Sequence, residues 1–258
     1  MIAALPCMKL SELATYIDTE LRLAEIADYP NAYNGLQMEN DRGEVTRIAA
    51  AVDATLPVMR KAVAAGADLL LVHHGMFWTG LQPWTGSVFQ KLKLCADSGL
   101  AVYSVHLPLD FHPTLGNDAV LCKSLGFEPG GHFMKTKGTE NGVRVITEIS
   151  RTDLVARLSK ATGSPVHVCA GGPEIVRNIG IMTGGAGSEV ATVAKAGVDT
   201  FITGEGPHWS YTLAEELGIN LFYGGHYATE TFGVKALAEH LKGKFGLEWE
   251  FIDHPTGL

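Results

Sequence analysis

The chain has 258 residues, of which 46% are apolar and 30 are glycine, and its formal net charge is −8. This length allows one large domain or two smaller lobes with proper hydrophobic cores. The negative charge argues against a nucleic-acid partner, because such a surface needs basic residues to replace counterions. No apolar run approaches the roughly 20 residues of a membrane span, so we expect no membrane partner.

The cysteines and the N-terminus favour a cytoplasmic protein. The cysteines lie far apart without C-x-x-C spacing, at Cys7, Cys95, Cys122 and Cys169. This argues against both a zinc–thiolate site and a disulfide framework, and it predicts free buried thiols in a reducing compartment. Residues 1–7 are mildly apolar but lack the basic start and cleavage site of a signal peptide.

Helix and strand patterns alternate along the chain. The predicted helices cover residues 9–26, 57–65, 87–98, 117–125, 152–162, 189–196, 210–217 and 230–244. The predicted strands cover residues 45–52, 68–72, 101–105, 143–149, 166–169, 178–182, 200–203, 220–223 and 249–252. The Gly-rich, polar stretch 128–141 is the predicted loop between two lobes. Such alternation is typical of α/β folds with helices on mixed or parallel sheets.

The two halves of the chain resemble each other. A shift of 131 residues places, without a gap, Ile48 on Ile179, Ala65-Gly66 on Ala196-Gly197, Asp68 on Asp199, and Trp78 on Trp209. Both copies read as strand, turn, helix, A-G-x-D turn and strand. We therefore predict an internally duplicated α/β protein with two similar lobes.

Potential metal ligands lie where apolar strands end. They are His73-His74 after A-D-L-L-L-V, His106 with Asp110 in segment 99–110, and His226 with Glu230 in segment 218–230. The rigid backbone of a buried strand fixes the positions of such side chains, which suits a divalent metal site. Imidazole and carboxylate ligands suit Fe, Mn and Zn, so the residue types do not identify the metal. Glu230 is the expected bridge between two ions, because a carboxylate reduces the repulsion of two cations.

Several other residues keep more than one interpretation. His106 is either a ligand or a group beside the ligands, and His112 is a loop or substrate-facing residue. The turn at residues 183–188, T-G-G-A-G-S, presents an anion-binding loop or an ordinary tight turn. The remaining histidines have no clear grouping and are interpreted as structural or surface residues: His132, His167, His208, His240 and His254.

The combination of motifs resembles a known family. The motifs are G-A-D-L-L-L-V-H-H-G-M-F-W, H-L-P-L-D with Gly116-Asn117-Asp118, D-T-F-I-T-G-E, G-G-H-Y-A-T-E, and Asn34-Gly35-Leu36-Gln37 near the N-terminus. Together they look like the Nif-three-like family, whose members are also described as dinuclear metal centre hexameric proteins and as GTP cyclohydrolase 1 type 2. The chain is similar to the short form, which lacks an inserted domain.

The resemblance implies a ligand set, a fold and an assembly. The ligands of two divalent ions carry over onto His73, His74, Asp110, His226 and Glu230, and His106 lies outside this set. The implied fold is two intertwined α/β lobes with the metal site in the cleft between them, assembled into a homohexamer. We place the first lobe at residues 1–126 and the second at 127–258, with the C-terminal segment free to pack back on the first. One departure from the family pattern is P-L-D after His106, where the family usually has T-N-L-D.

Three functions agree with these residues. The first is a metal-dependent hydrolase of a small, nucleotide-like ligand, similar to GTP cyclohydrolase 1 type 2, in which His106 or His112 moves protons. The second is a carrier or metallochaperone for iron or another ion. The third is a regulatory scaffold ring in which the metals are structural. No serine or cysteine nucleophile setting competes with these interpretations.

Overall fold

The computed structural model describes residues 6–80 and 82–258, which form two compact units. Unit 1 comprises the described residues up to Leu109 together with Gly233–His254, and unit 2 comprises Asp110–Phe232 with Pro255–Leu258. This division differs from the boundary at residue 126 expected from the sequence. The chain enters unit 2 at Asp110, shortly after His106, and returns to unit 1 at Gly233.

The secondary structure elements are numbered in chain order. The strands are β1 (Met8–Lys9), β2 (Gly35–Met38), β3 (Glu44–Val45), β4 (Arg47–Asp53), β5 (Leu69–His74), β6 (Ala101–Ser104), β7 (His132–Thr136), β8 (Thr139–Ser150), β9 (His167–Ala170), β10 (Ile175–Ile181), β11 (Thr200–Thr203), β12 (Asn220–Tyr223) and β13 (Glu248–Phe251). The helices are α1 (Leu10–Glu20), α2 (Leu56–Ala64), α3 (Gly86–Ser98), α4 (Leu107–Asp110), α5 (Asn117–Ser124), α6 (Arg151–Thr162), α7 (Val190–Lys195), α8 (His208–Leu217), α9 (His226–Thr229) and α10 (Thr231–Phe245). Short 3-10 helices lie at Pro30–Ala32 and Ala186–Glu189.

Unit 1 is built on a five-stranded sheet with the order β13-β4-β5-β6-β2. Strands β13, β4, β5 and β6 are parallel, and β2 pairs with β6 in the antiparallel sense. The parallel strands read as continuous apolar runs because both of their faces are covered. Ala49, Leu70 and Val102 accordingly lie in one core cluster without solvent exposure. A small antiparallel pair, β1 with β3, completes the strands of this unit.

Unit 2 is built on a six-stranded sheet with the order β7-β8-β10-β11-β12-β9. Its parallel centre is β10, β11 and β12, flanked by antiparallel pairings with β8 and β9. Because side chains alternate along a strand, the sheet supports two cores. Ile202 and Phe222 belong to one cluster, and their chain neighbours Phe201 and Leu221 belong to the other.

The sheets confirm the predicted duplication. In each unit three parallel strands are followed by one antiparallel neighbour, as β4-β5-β6-β2 and as β10-β11-β12-β9. The A-G-x-D turns also serve the same purpose in both copies. Oδ2 of Asp68 accepts hydrogen bonds from the amides of Thr46 and Arg47 at 2.8 and 3.1 Å. Oδ2 of Asp199 accepts them from the amides of Arg177 and Asn178 at 2.9 and 2.8 Å.

The prediction of an interlobe loop at residues 128–141 was wrong. Strand β7 and the start of β8 form a hairpin there, and both belong to the sheet of unit 2. Lys137 and Gly138 turn the chain with positive φ values of 49° and 86°, as tight hairpins require. Polar side chains on the edge strand concealed the strand pattern, and Phe133 is its one buried residue.

Two further expectations needed correction. Glu230 does not begin a helix; it lies between α9 and α10 as the C-terminal cap of α9. Of the cysteines, Cys95, Cys122 and Cys169 are free and buried as predicted, but Cys7 is exposed. Within residues 6–80 and 82–258, none of the helices has the length and apolar character needed to cross a bilayer.

Candidate metal centre

The histidine pair lies at the end of β5, the middle strand of the five-stranded sheet of unit 1. His73 is fully buried, and its Nδ1 lies 3.0 Å from the carbonyl oxygen of Val105. The Nδ1 of His74 lies 2.9 Å from Oδ1 of Asp53, the residue paired with it on β4. Both partners are acceptors, so each Nδ1 carries the proton and Nε2 is the ring nitrogen suited to a metal. The two ring centroids are 4.8 Å apart.

His106 follows β6 and belongs to the same cluster. Its Nδ1 lies 2.9 Å from Oδ1 of Asp28, and its backbone amide donates to Oδ1 of Asn34 at 2.8 Å. Burial alone would raise the pKa of Asp28, but the hydrogen bonds from His106 and Asn34 hold it below its usual range. One ring nitrogen from each of His73, His74 and His106 lies within 4.8 Å of the others. Unit 1 thus gathers three imidazoles with fixed orientations.

Aromatic side chains cover this cluster. The ring of Trp78 lies 4.7 Å from that of His106 and 5.1 Å from that of His74, measured between centroids. Tyr29 lies 6.0 Å from His106, and both aromatic residues keep part of their surface exposed. The imidazoles therefore lie beneath an aromatic layer that limits their contact with water, which strengthens their interaction with a cation.

Unit 2 carries a second donor group at the end of β12. Nε2 of His226 lies 3.1 Å from Oε2 of Glu230, and its Nδ1 lies 2.8 Å from Oε1 of Glu205. Glu230 is 4% exposed. Burial lowers the pKa of His226, but the carboxylates of Glu230 and Glu205 outweigh it and raise the pKa to about 9. Without a metal the site therefore holds a proton where a divalent cation fits.

Asp110 is half-buried and lies near buried carboxyl residues of unit 2. Its Oδ1 accepts a hydrogen bond from Nδ2 of Asn117 at 2.8 Å. The neighbouring Asp118 is 3% exposed. Burial is the main reason why the pKa of Asp118 is raised to about 7, and the charges of Asp110 and Glu230 raise it further. Carboxylates that repel one another in this way fit a site that binds a cation.

The Gly-rich turn at residues 183–188 is a tight turn and not an anion cradle. Its amides donate inside the protein: Thr183 to Asp118, Gly184 to Thr229, Ala186 to Thr203, and Gly187 to Glu205. The backbone of Gly184 passes so close to Glu230 that a side chain there would meet its carboxylate. The backbone of this turn therefore lies against the carboxylate of Glu230 and limits the positions that it can take.

A cavity of about 100 Å³ opens beside Asp110 within unit 2. Its polar lining includes Asp118, His112 and His132. His112 also stabilises the local turn, because its Nδ1 accepts a hydrogen bond from the amide of Leu115 at 3.0 Å. The other ungrouped histidines lie outside the donor groups found among the described residues.

Sequence reasoning identified the histidines but missed the residues that orient them. Asp53 ends β4 and Glu205 follows β11, and both of these are central parallel strands beside the strands that lead to His74 and His226. The position of each carboxylate at a strand end could therefore have indicated, from the sequence, that it lies near a histidine. Asp28 lies in a loop far from His106 in sequence, and no local pattern marks it.

Comparison with known proteins gives a consistent result. The family model of Duf34/NIF3 (NGG1p interacting factor 3) matches residues 8–257. A protein from Archaeoglobus fulgidus named GTP cyclohydrolase 1 type 2 homolog is 38% identical, covering 97% of this chain and 100% of its own. A protein of the same name from Deinococcus radiodurans is 36% identical, covering 96% and 94%. The crystal structure of TTHA1606 from Thermus thermophilus superposes with a TM-score of 0.88 at 38% identity, covering 97% and 100%.

The match to the family model extends over nearly the whole chain, and it includes every donor residue described above. The relatives agree with this chain in length as well as in sequence. The chain therefore belongs to the Duf34/NIF3 family.

Proposed function

We propose that this protein binds two divalent metal ions through His73, His74, Asp110, His226 and Glu230 and uses them to hydrolyse a small, nucleotide-like substrate. The observation that carries the proposal is the orientation of the imidazoles. The Nδ1 atoms of His73, His74 and His226 each lie beside a hydrogen-bond acceptor, the arrangement of histidines that bind a metal through Nε2. Such outer partners are typical of histidine ligands in metal sites.

The donor set determines which ions fit. Neutral imidazoles together with carboxylates suit Fe, Mn or Zn. When bound, ions of this kind supply Lewis-acid activation of water for hydrolysis. The chain itself supplies the fixed donors and the aromatic cover of Trp78. The name carried by the curated relatives, GTP cyclohydrolase 1 type 2 homolog, supports a purine nucleotide as the first substrate class to test.

One observation favours a second function, a carrier of iron or another metal. The cavity beside Asp110 has a volume of about 100 Å³. Pockets for drug-sized ligands span roughly 300–1,000 Å³, so this cavity within unit 2 is too small for a whole nucleotide. A carrier needs fixed donors but no substrate pocket.

Metal analysis combined with a turnover screen separates the two functions. The protein is purified aerobically and anaerobically, its metals are quantified, and the loaded protein is incubated with nucleotides and pterin precursors. Turnover that disappears on chelation and returns with metal supports the hydrolase. Two bound ions without turnover of any compound favour the carrier. Less than one equivalent of metal under both conditions would contradict the metal-binding proposal itself.

We also propose that the protein assembles into a homohexamer in the cytoplasm, as the family resemblance implies. Light scattering at micromolar concentration tests the assembly directly. A mass six times that of the 27.6 kDa chain is expected. A monomeric mass would contradict the hexamer without affecting the metal proposal.

A further inference from the structure

Two loops of unit 1 carry aromatic side chains that face solvent. Tyr33 is 65% exposed, Tyr29 50% and Trp78 38%, and Phe77 is half-buried. We call these four residues the aromatic shelf, and none of them is among the proposed metal donors. Soluble proteins seldom expose several large apolar side chains side by side, and such a patch marks the place where a ligand or a partner binds.

The four rings form one continuous surface. The ring of Tyr33 lies 5.1 Å from that of Phe77, and the ring of Tyr29 lies 6.5 Å from that of Trp78, measured between centroids. Phe77 and Trp78 are neighbours in the chain, so the two pairs join. The planes of Tyr33 and Phe77 are inclined at 52°, so these rings do not stack face to face and each keeps a face for a third ring.

Hydrogen bonds hold the two loops of the aromatic shelf together. Nε2 of Gln37 donates to the carbonyl oxygen of Tyr33 at 2.9 Å, and its Oε1 accepts from the amide of Met76 at 2.7 Å. Nδ2 of Asn31 donates to the carbonyl oxygen of Trp78 at 3.3 Å. The rings are therefore positioned before a ligand arrives, which reduces the entropy that binding costs.

The backbone of Tyr33 is strained. Its φ is +44° and its ψ is 55°, in the left-handed region that glycine and asparagine adopt far more readily than a bulky residue. Because the ring is largely exposed, burial in a core does not compensate for this strain. Strained residues of this kind are concentrated at ligand sites. The strain therefore favours a role for the tyrosine ring at the surface.

The composition of the two loops indicates the class of ligand. Residues 29–34 (Y-P-N-A-Y-N) and residues 75–80 (G-M-F-W-T-G) contain no lysine, arginine or histidine. The aromatic shelf thus brings no cation of its own to a phosphate group. Its aromatic faces suit an uncharged planar ring instead, because every nucleobase has a π-face that stacks on an aromatic side chain.

The aromatic shelf begins beside the candidate metal centre. The ring of Trp78 lies 5.1 Å from that of His74, measured between centroids, and Phe77 precedes Trp78 in the chain. A base stacked on Tyr33 and Phe77 therefore lies near the imidazoles, with its sugar and phosphates free to extend toward them. A protein partner on the same surface would cover Trp78 and close this approach to His74. The position of the shelf therefore favours a small ligand.

We propose that the aromatic shelf binds the purine-like bicyclic ring of the substrate by stacking on Tyr33 and Phe77. This inference rests on the proposed function and adds to it the place where the base binds. Since the shelf contains no metal donor, the base binds there without a metal ion. Stacking does not read the edge of a base, so the site accepts adenosine as well as guanosine.

Binding of guanosine tests the inference, because guanosine carries the ring without a phosphate. Metal-free full-length wild type, Tyr33→Ala, Phe77→Ala, Tyr33→Phe and the control Phe89→Ala are titrated with guanosine, adenosine and ribose by ligand-observed NMR, which detects weak binding. Phe89 is the control because its ring is 53% exposed but lies on α3, outside the aromatic shelf. Circular dichroism checks that each variant is folded.

We expect wild type, Tyr33→Phe and Phe89→Ala to bind guanosine with equal affinity. Tyr33→Ala and Phe77→Ala should weaken it by about 5–150-fold, the effect of losing one base–aromatic contact. Adenosine should follow the same order, and ribose should not bind. Tyr33→Gly should lose guanosine binding while its urea midpoint of unfolding rises, because glycine adopts the left-handed conformation without strain.

The outcomes separate this inference from the proposed function. If wild type does not bind guanosine, or if folded Tyr33→Ala and Phe77→Ala bind it like wild type, the inference is overturned. If these variants change only the mass seen by light scattering, the aromatic shelf is a subunit contact and the inference is again overturned. Zn²⁺ titration of the same samples tests the proposed metal binding independently, so either proposal can fail while the other stands.

Discussion

The substitution Gly184→Ala would show whether Glu230 holds a metal ion, without changing any donor residue. Gly184 has a φ of +68°, and a Cβ at this position would meet Oε1 of Glu230 and lie 3.2 Å from its Cδ. The main chain cannot move away easily. The amide of Gly184 donates to Oγ1 of Thr229 at 3.1 Å, and its carbonyl accepts from the amides of Gly204 and Glu205 at 2.9 Å each.

The added methyl group must therefore displace the carboxylate of Glu230, and two effects can be separated. The left-handed backbone conformation costs an alanine about 1–2 kcal/mol relative to glycine. Gly197, with a φ of +79° and no atom within 4 Å of the place that a Cβ would occupy, offers a control that carries only this cost. Displacement of Glu230 should cost metal affinity instead, by about 10–100-fold or more.

Urea unfolding of the metal-free proteins and Zn²⁺ titration measure the two effects. Gly184→Ala and Gly197→Ala should both lose about 1–2 kcal/mol of unfolding free energy. Only Gly184→Ala should bind Zn²⁺ more weakly. If both variants bind Zn²⁺ with wild-type affinity, the carboxylate of Glu230 does not contribute to the metal site, and the ligand assignment must be revised.

Three further predictions concern the donors and the turns. Glu230→Ala should lose at least one metal equivalent while its circular dichroism stays native, because the units keep their own cores; two full equivalents would exclude the bridging role. Glu205→Gln should weaken Zn²⁺ binding by about 10–100-fold, since Glu205 orients His226 through Nδ1; an unchanged affinity would make this hydrogen bond irrelevant to the metal. Burial alone would raise the pKa of Asp68, but hydrogen bonds from Thr46 and Arg47 lower it below its ordinary value. The ionised carboxylate therefore stabilises the fold at a pH above its unfolded pKa. This stabilisation is lost as the pH falls through the folded pKa. Asp68→Asn should therefore cost about 1–3 kcal/mol in urea unfolding at pH 7 and less below about pH 4, and an equal cost at both pH values would refute this account.

The sequence alone determined the alternation of elements, the duplication and the placement of the histidines. These features are local, because a buried parallel strand is a continuous apolar run and its end is marked by the first polar residues. His73, His74 and His226 could therefore be placed at strand ends from the residue pattern by itself. The A-G-x-D turns could also be identified from the sequence, because each is a local motif.

The tertiary structure alone decided which residues orient the ligands and where the hairpin lies. Asp28 meets His106 across 78 residues of chain, and Asp53 meets His74 because β4 and β5 pair in a register that places them side by side. The hairpin at residues 132–150 escaped prediction because its edge strand is mostly polar. Strand order, register and edge position arise from packing between segments distant in sequence, which local periodicity does not encode.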